Sequence, residues 1–197
     1  MIAWVLPLLL APASPPTTTA PAAASAPATS PDDEAAAQAR ADVTTVLTDQ
    51  SRAYLQARAR LVAQGERGKQ ALFERLDGVP PPTAAERKRL FDVLAEIGGA
   101  DVATRAGEEL RRAVLAETRE VAAAAAAEPW RPVLRDLGVH ARAALGALVA
   151  ERGLHLAVRA LLLDDLVALT PDAALGELLV LAGRGHATLR QQFTRSL

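Results

Sequence analysis

The chain has 197 residues, enough for one domain with a hydrophobic core and too few for two large domains. Its residues are 50% hydrophobic but only 3% aromatic, so Leu, Val and Ala must fill the core, and this composition favours helix over strand. The formal net charge of the chain is -1, whereas a typical nucleic-acid-binding domain carries an excess of basic residues. The absence of cysteine excludes disulfides, thiolate chemistry and Cys-ligated zinc.

The N-terminal region carries no charged side chain as far as residue 31. Residues 1–10 form an apolar run too short to span a bilayer, and the run ends at Ala11-Pro12-Ala13, a pattern typical of a signal-peptide cleavage site. We therefore predict a signal peptide over residues 1–13 and export to the periplasm or extracellular space. A misassigned start codon or a disordered apolar tail is the alternative. Residues 14–31, rich in Pro, Ala, Thr and Ser, predict an extended disordered linker.

Helix signals begin at Ser30-Pro31-Asp32. The serine can cap the helix N-terminus, the proline suits the first helical position, and the acids interact favourably with the positive end of the helix dipole. Thr83 and Glu86 have the spacing of a capping box. Together with glycine and proline breaks, these signals predict helices over about residues 32–65 (bent or restarted near Thr48-Asp49), 66–77, 84–97, 101–128, 132–137, 139–152, 154–169, 171–182 and 186–196.

Four glycines mark an internal repeat, each preceded by two apolar residues at four and three positions before it: Gly65, Gly98, Gly153 and Gly183. A glycine there can adopt the left-handed conformation that ends a helix and turns the chain. The first two are 33 residues apart and the last two 30, which are helical-hairpin repeat lengths.

Residues 94–102 and 139–146 carry a resemblance to HEAT repeats, particularly the short bacterial kind that also occurs in bilin-lyase-related proteins. The resemblance extends over roughly residues 49–197, although the family's Asp-Pro after the turn glycine is absent. It implies an α-solenoid that binds other proteins, with no activity and no bilin site. We therefore predict an all-α fold, in which residues 32–197 form about four HEAT-like helical hairpins. A compact irregular helical bundle is the alternative.

The predicted core is rich in leucine, and Trp130 is expected to be buried where the Pro129-Trp130-Arg131-Pro132 segment breaks the helical pattern. Asp164 and Asp165 are expected to mark the solvated edge of their helix, with Arg159 as a candidate ionic partner. The predicted core leucines are Leu61, Leu72, Leu76, Leu90, Leu94, Leu110, Leu145, Leu148, Leu161, Leu166, Leu178 and Leu189.

Residues with catalytic or metal-binding potential do not form a recognisable pattern. The histidines His140, His155 and His186 do not have the spacing that places two ligands on one helix face. The sequence has no phosphate loop, nucleophile elbow or dinucleotide fingerprint. We therefore predict no enzymatic activity, no cofactor and no metal.

The segment after Asp101 places charged residues opposite an apolar stripe of Val102, Ala106, Leu110, Val114 and Val121. Its spacing predicts the i,i+4 pairs Arg105–Glu109 and Glu108–Arg112. A solvated, salt-bridged face is one interpretation. In a solenoid, the same ladder could face a partner, so the candidate partner-binding residues are Arg105, Glu108, Glu109, Arg112 and Arg119.

These observations predict a non-catalytic scaffold or adaptor of the cell envelope that binds another protein, without nucleic acid and without a membrane span. One alternative is an enzyme or enzyme accessory whose site residues are scattered along the sequence, with His140, His155 and Asp164 as the first candidates. Another is a carrier of an apolar ligand in a groove lined by Ala and Leu. The chain has no acid after Glu177, so its basic end could support weak surface association.

Overall fold

The computed structural model describes residues 30–170 together with Gln191 and Thr194. Every regular element in the described stretch 30–170 is helical, which confirms the predicted all-α class. The helices are α1 (Pro31–Thr48), α2 (Arg52–Ala63), α3 (Glu66–Leu76), α4 (Ala84–Ile97), α5 (Ala100–Leu115), α6 (Glu120–Ala127), α7 (Arg131–Asp136), α8 (Arg142–Ala150) and α9 (Leu156–Ala168), with a short 3₁₀ helix over Gly138–Ala141 before α8. The predicted signal peptide, nearly all of the linker and the helix at 171–182 lie outside the described residues, as do Leu178, Gly183, His186 and Leu189.

The predicted helix starts are confirmed by their capping hydrogen bonds. The backbone N–H of Asp32 donates to Ser30 Oγ at 3.3 Å, and the Thr83–Glu86 capping box is formed in both directions. The chain also restarts after α1, because Ser51 caps α2 by accepting a hydrogen bond from the backbone N–H of Ala53. Local side-chain chemistry therefore determines these boundaries.

The prediction of one helix over residues 101–128 is wrong, since helix α5 ends at Leu115 and a separate helix, α6, begins at Glu120. The exposed segment 116–119 lets α6 turn and bury Ala123 and Ala127 while packing on α5 and α9. Val121, assigned to the apolar stripe, is 84% exposed. An alanine run has high helix propensity but no wide apolar face of its own, so packing against other helices determines where it lies.

The glycine pattern is confirmed at two of its described positions. Gly65 and Gly98 have φ of 55° and 81°, a region that other residues rarely adopt. Gly153 is not among the described glycines with positive φ, whereas Gly138, at the start of the 3₁₀ helix, has φ of 56°. Helix α8 ends in extended backbone at Glu151 instead, so it needs no left-handed glycine there.

The predicted core leucines within the described residues are buried, except for Leu161, which is only half-buried. In its place Leu162 and Leu163 are completely buried. Helix α9 is apolar around most of its circumference, so its pattern does not specify which leucines face the core. The confirmed residues are Leu61, Leu72, Leu76, Leu90, Leu94, Leu110, Leu145, Leu148 and Leu166.

Two groups of helices meet at α4. Helices α1, α2 and α3 pack on one another and on α4, while α5 packs on α6, α7 and α8. Helix α4 joins the groups through contacts with α5 and α7, where Trp130 meets Phe91 edge-to-face with ring centroids 5.3 Å apart. Trp130 is only 8% exposed, which confirms its predicted burial.

Candidate functional site

Helix α5 separates two depressions on the molecular surface, and Thr104 and Glu108 line both of them. The larger, here called the charged cleft, has a volume of about 800 Å³ and lies between α5, α4 and the end of α3. Its lining residues are Leu76, Asp77, Arg87, Phe91, Asp101, Thr104, Arg105, Glu108, Glu109 and Arg112. Four of the five candidate residues selected from the sequence therefore lie at one site.

The smaller depression, here called the apolar groove, has a volume of about 310 Å³ and lies between α5 and α8. Its floor and walls are made mainly of small side chains. It is lined by Thr104, Gly107, Glu108, Arg111, Ala143, Ala144, Ala147, Leu148 and Glu151. This groove is not predictable from the sequence, because its two walls are separated by more than thirty residues of chain.

Arg105 connects α5 to the end of α3. Its Nη1 donates to both carboxylate oxygens of Asp77, at 2.8 and 2.9 Å, and its guanidinium carbon lies 4.5 Å from the centre of the Phe73 ring. The predicted pair between Arg105 and Glu109 is therefore wrong. The close approach of α3 offers Arg105 a carboxylate and an aromatic face, a combination that arginine favours.

Glu109 connects α5 to α4. Its Oε1 accepts a hydrogen bond from Arg87 Nη1 at 2.9 Å and another from Arg112 Nη1 at 2.6 Å. Arg112 thus pairs with Glu109 at i,i+3 spacing, and the predicted pair with Glu108 is wrong. The Glu109 side chain is only 15% exposed, so its position in the wall of the cleft is well defined.

Lys69 neutralises the acid at the start of α5. Its Nζ lies 3.0 Å from Asp101 Oδ2 and 2.6 Å from Glu66 Oε1. The hydrogen bond to Glu66 is the main cause that raises the pKa of Lys69. Burial alone would raise the pKa of Asp101, but hydrogen bonds from Lys69 and from the backbone N–H of Val102, with the charge of Lys69, bring it below its usual value. Both groups are therefore charged at neutral pH.

Glu108 is the exception in this arrangement. The other three acids of the cleft, Asp77, Asp101 and Glu109, each pair with a cation. Glu108 is exposed and makes no ion pair among the described residues. Its carboxylate, on the ridge between the two depressions, is therefore the acid of the charged cleft that has no ion-pair partner among the described residues.

Arg119 does not belong to the cleft. It precedes α6 at the N-cap position and is exposed, four residues beyond the end of α5. Arg105, Arg112 and Arg119 are spaced by seven residues, which would place them on one side of a single uninterrupted helix. Because the chain turns after Leu115, that spacing no longer determines the direction of Arg119.

Asp165 and Arg159 have different environments from those predicted. Asp165 is buried, accepts hydrogen bonds from Arg131 of α7 and forms an ion pair with Arg135 of the same helix, so its assignment to a solvated edge is wrong. Arg159 is also buried, and its Nε donates to the carbonyl of Val149 at 2.7 Å. Burial, and then the nearby charge of Arg152, lower the pKa of Arg159.

The histidines occupy separate local environments. His140 is exposed on the 3₁₀ helix, and the Nε2 of His155 lies 3.1 Å from the carbonyl of Glu117. Within the described part of the chain, no group of three or more His, Asp or Glu side chains is arranged to hold a metal ion.

Comparison of the chain with known protein families, curated proteins and solved structures finds no match. None of the helices within the described ranges combines the length and apolar character needed to cross a membrane. The charged cleft and the apolar groove beside it are therefore the features from which a function can be inferred.

Proposed function

We propose that this chain is a non-catalytic scaffold that binds another protein through the exposed face of α5. The observation that carries this proposal is the convergence of Arg105, Glu108, Glu109 and Arg112 on one cleft. Asp77 at the end of α3 holds Arg105, and Arg87 of α4 holds Glu109, which in turn pairs with Arg112 of its own helix. A face whose charged groups are already positioned loses less side-chain entropy when a partner binds.

The size and charge of the cleft suit a protein surface. An open depression of about 800 Å³ with alternating acids and bases can match complementary charges on a partner. Arg112 retains a 63% exposed side chain beside Glu109, so it can also contact a partner carboxylate. Charges at such a rim contribute to specificity and association rate more than to affinity.

A HEAT-like α-solenoid of about four hairpins is the arrangement that we propose for this scaffold. The turn glycines at Gly65 and Gly98 support it. The contact of α6 with α9 gives weight to the compact-bundle alternative. An experimental structure decides between them: packing of α2 directly on the segment 171–182 would favour the bundle, because distant repeats of a solenoid do not touch.

Export is the second element of the proposal, with residues 1–13 as a signal peptide and 14–31 as a linker that holds the helical domain away from a surface. Mass spectrometry of the native N-terminus tests it. We expect a mature chain that begins at Ser14 in the envelope or extracellular fraction. An intact Met1 on a cytosolic chain would contradict export.

The two alternative functions remain hypotheses. An enzyme would require His140, His155 or Asp164 to meet further catalytic groups. A carrier would use an apolar cavity, and the apolar groove is the described depression closest to that requirement. Neither alternative explains why the Arg and Glu side chains of α5 gather at one cleft.

Affinity capture and crosslinking from the native envelope fraction test the scaffold. The informative variants are Glu108→Lys and Arg112→Glu, because both side chains are exposed and their reversal leaves the core unchanged. Arg105 is less suitable for reversal, since it is only partly exposed and Arg105→Glu would remove the contacts with Asp77 and Phe73 that join α5 to the end of α3.

We expect a reproducible partner of the unmodified chain to be reduced about tenfold or more by either reversal. The matched control is Arg119→Glu, an exposed reversal outside the cleft, which should retain the partner. Equal retention by all three variants would contradict the assignment of the charged cleft as the binding surface.

A further inference from the structure

The apolar groove has a floor that permits a helix to approach closely. A Cβ built at Gly107 would lie 3.4 Å from the Cβ of Ala144 and 3.6 Å from Leu148 Cδ1, which shows how near α5 and α8 come to each other. Ala143 and Ala147 are exposed along the wall of the groove. Because these floor residues have small side chains, a third helix could pack at short distance against α5 and α8.

The charges at the rim of the groove are unequal. Arg111 of α5 donates through Nε to both oxygens of Glu151, at 2.8 and 3.0 Å, so these two charges compensate each other. Glu108, one helical turn before Arg112, has no such cation among the described residues. The groove therefore combines an apolar floor with one surplus negative charge on its α5 side.

We infer that the partner inserts an amphipathic helix into the apolar groove, with Ala and Leu side chains on the floor and a Lys or Arg beside Glu108. This inference rests on the proposed function and specifies the partner's chemistry. A helix suits the groove because both walls are helices that offer no free backbone for strand addition.

The extent of the groove also limits the contact. The wall on α5 runs from Thr104 to Arg111, and the wall on α8 runs from Ala143 to the following Glu151. Each wall is about two helical turns long, or roughly 12 Å. The partner helix would therefore make its contacts through residues at i, i+3 or i+4, and i+7.

Two synthetic helical peptides of about 18 residues serve as probes of this chemistry. Both carry the same Ala/Leu stripe, and one has two lysines beside the stripe where the other has two glutamates. Fluorescence anisotropy with the full chain measures their affinities. We expect the lysine peptide to bind about fivefold more tightly or better, the difference that a favourable exposed ion pair can supply.

Two variants of the chain and one control variant locate the binding. Glu108→Lys should reverse the preference between the peptides. Ala147→Trp should abolish the binding of both by filling the groove, whereas Ala125→Trp, at an exposed alanine of α6, should leave binding unchanged. Circular dichroism should show the same helicity for all variants, because each substitution is at an exposed position.

Equal affinity for the two peptides, or binding that persists in Ala147→Trp, would overturn the inference. Sedimentation of the chain alone tests whether a second copy of the chain occupies the groove instead. Self-association that is lost in Ala147→Trp would identify that second copy and would also overturn the inference of a partner helix. If a captured partner depends on Arg112 but neither peptide binds, the scaffold proposal survives and only the inference about the helix fails.

Discussion

Asp165 of α9 is buried against Arg131 of α7, with its two carboxylate oxygens 2.6 Å from Arg131 Nε and 3.0 Å from Nη2. Arg135 adds a third contact at 3.2 Å, and Glu128 pairs with the Nη1 of Arg131 at 2.7 Å. The hydrogen bond from Arg131 to Asp165 is the main cause that raises the pKa of the guanidinium above its usual value. This network joins α7 to α9 inside the domain.

Removal of the Asp165 carboxylate should destabilise the fold strongly. Asp165→Ala leaves the Arg131 guanidinium, whose side chain is 12% exposed, without its main anion, and such a loss costs about 3 kcal/mol or more of unfolding free energy. Urea denaturation measures the change. Asp136→Ala removes an exposed carboxylate from α7 and should cost less than about 0.5 kcal/mol. Equal losses in the two variants would show that the buried pair does not stabilise the fold.

Trp130 should contribute to stability through the contact between α4 and the start of α7. Trp130→Ala removes a buried indole that meets Phe91 edge-to-face, and the expected cost is about 3–5 kcal/mol. Val121→Ala, at a residue that is 84% exposed, is the control, with an expected change below about 0.5 kcal/mol. A Trp130→Ala change within experimental error would mean that the indole is exposed in solution and would make it a candidate binding anchor.

Gly98 should resist substitution for a conformational reason alone. Its φ of 81° and ψ of -177° lie in a region restricted to glycine, and nothing surrounds the position where a Cβ would be placed. Gly98→Ala should therefore cost about 1–3 kcal/mol of backbone strain. Gly146→Ala, in an equally open position within α8, should be neutral or stabilising by up to about 1 kcal/mol. Thermal unfolding that ranks the two variants in the opposite order would contradict the assigned turn at Gly98.

Glu86 should make the start of α4 sensitive to acid. Hydrogen bonds from the backbone N–H and then the side chain of Thr83 lower the pKa of Glu86 from its usual 4.5. A group with a lowered folded-state pKa contributes stability that is complete above the usual pKa and is lost as the pH falls through the lowered value. We therefore expect an NMR titration of Glu86 to show an inflection below 4.5.

Substitution of the capping threonine supplies the comparison for that titration. Thr83→Ala should move the inflection of Glu86 upwards, towards 4.5, because the reciprocal cap is weakened. Thr118→Ala, at an exposed threonine between α5 and α6, should leave it unchanged. An inflection at or above 4.5 in the unmodified chain would contradict the capping box in solution.

The sequence by itself determined the all-helical class, most helix boundaries and most of the leucine core. These features depend on interactions between residues close in the chain, such as the caps at Ser30 and Thr83 and the positive φ of Gly65 and Gly98. Candidate residues on α5 were also identifiable, because the amphipathic pattern of one helix is a local property.

Only the tertiary structure decided how those residues are used. Arg105 meets Asp77, at the end of α3, and Glu109 meets Arg87 of α4. These partners are 28 and 22 positions away, so sequence spacing along α5 could not predict them. The same applies to Asp165, which was expected at a solvated edge and is buried by α7, and to the apolar groove, whose walls meet only when α8 packs on α5. Helix propensity and capping act within a few residues, whereas the charge that a side chain meets is set by which helices lie beside it.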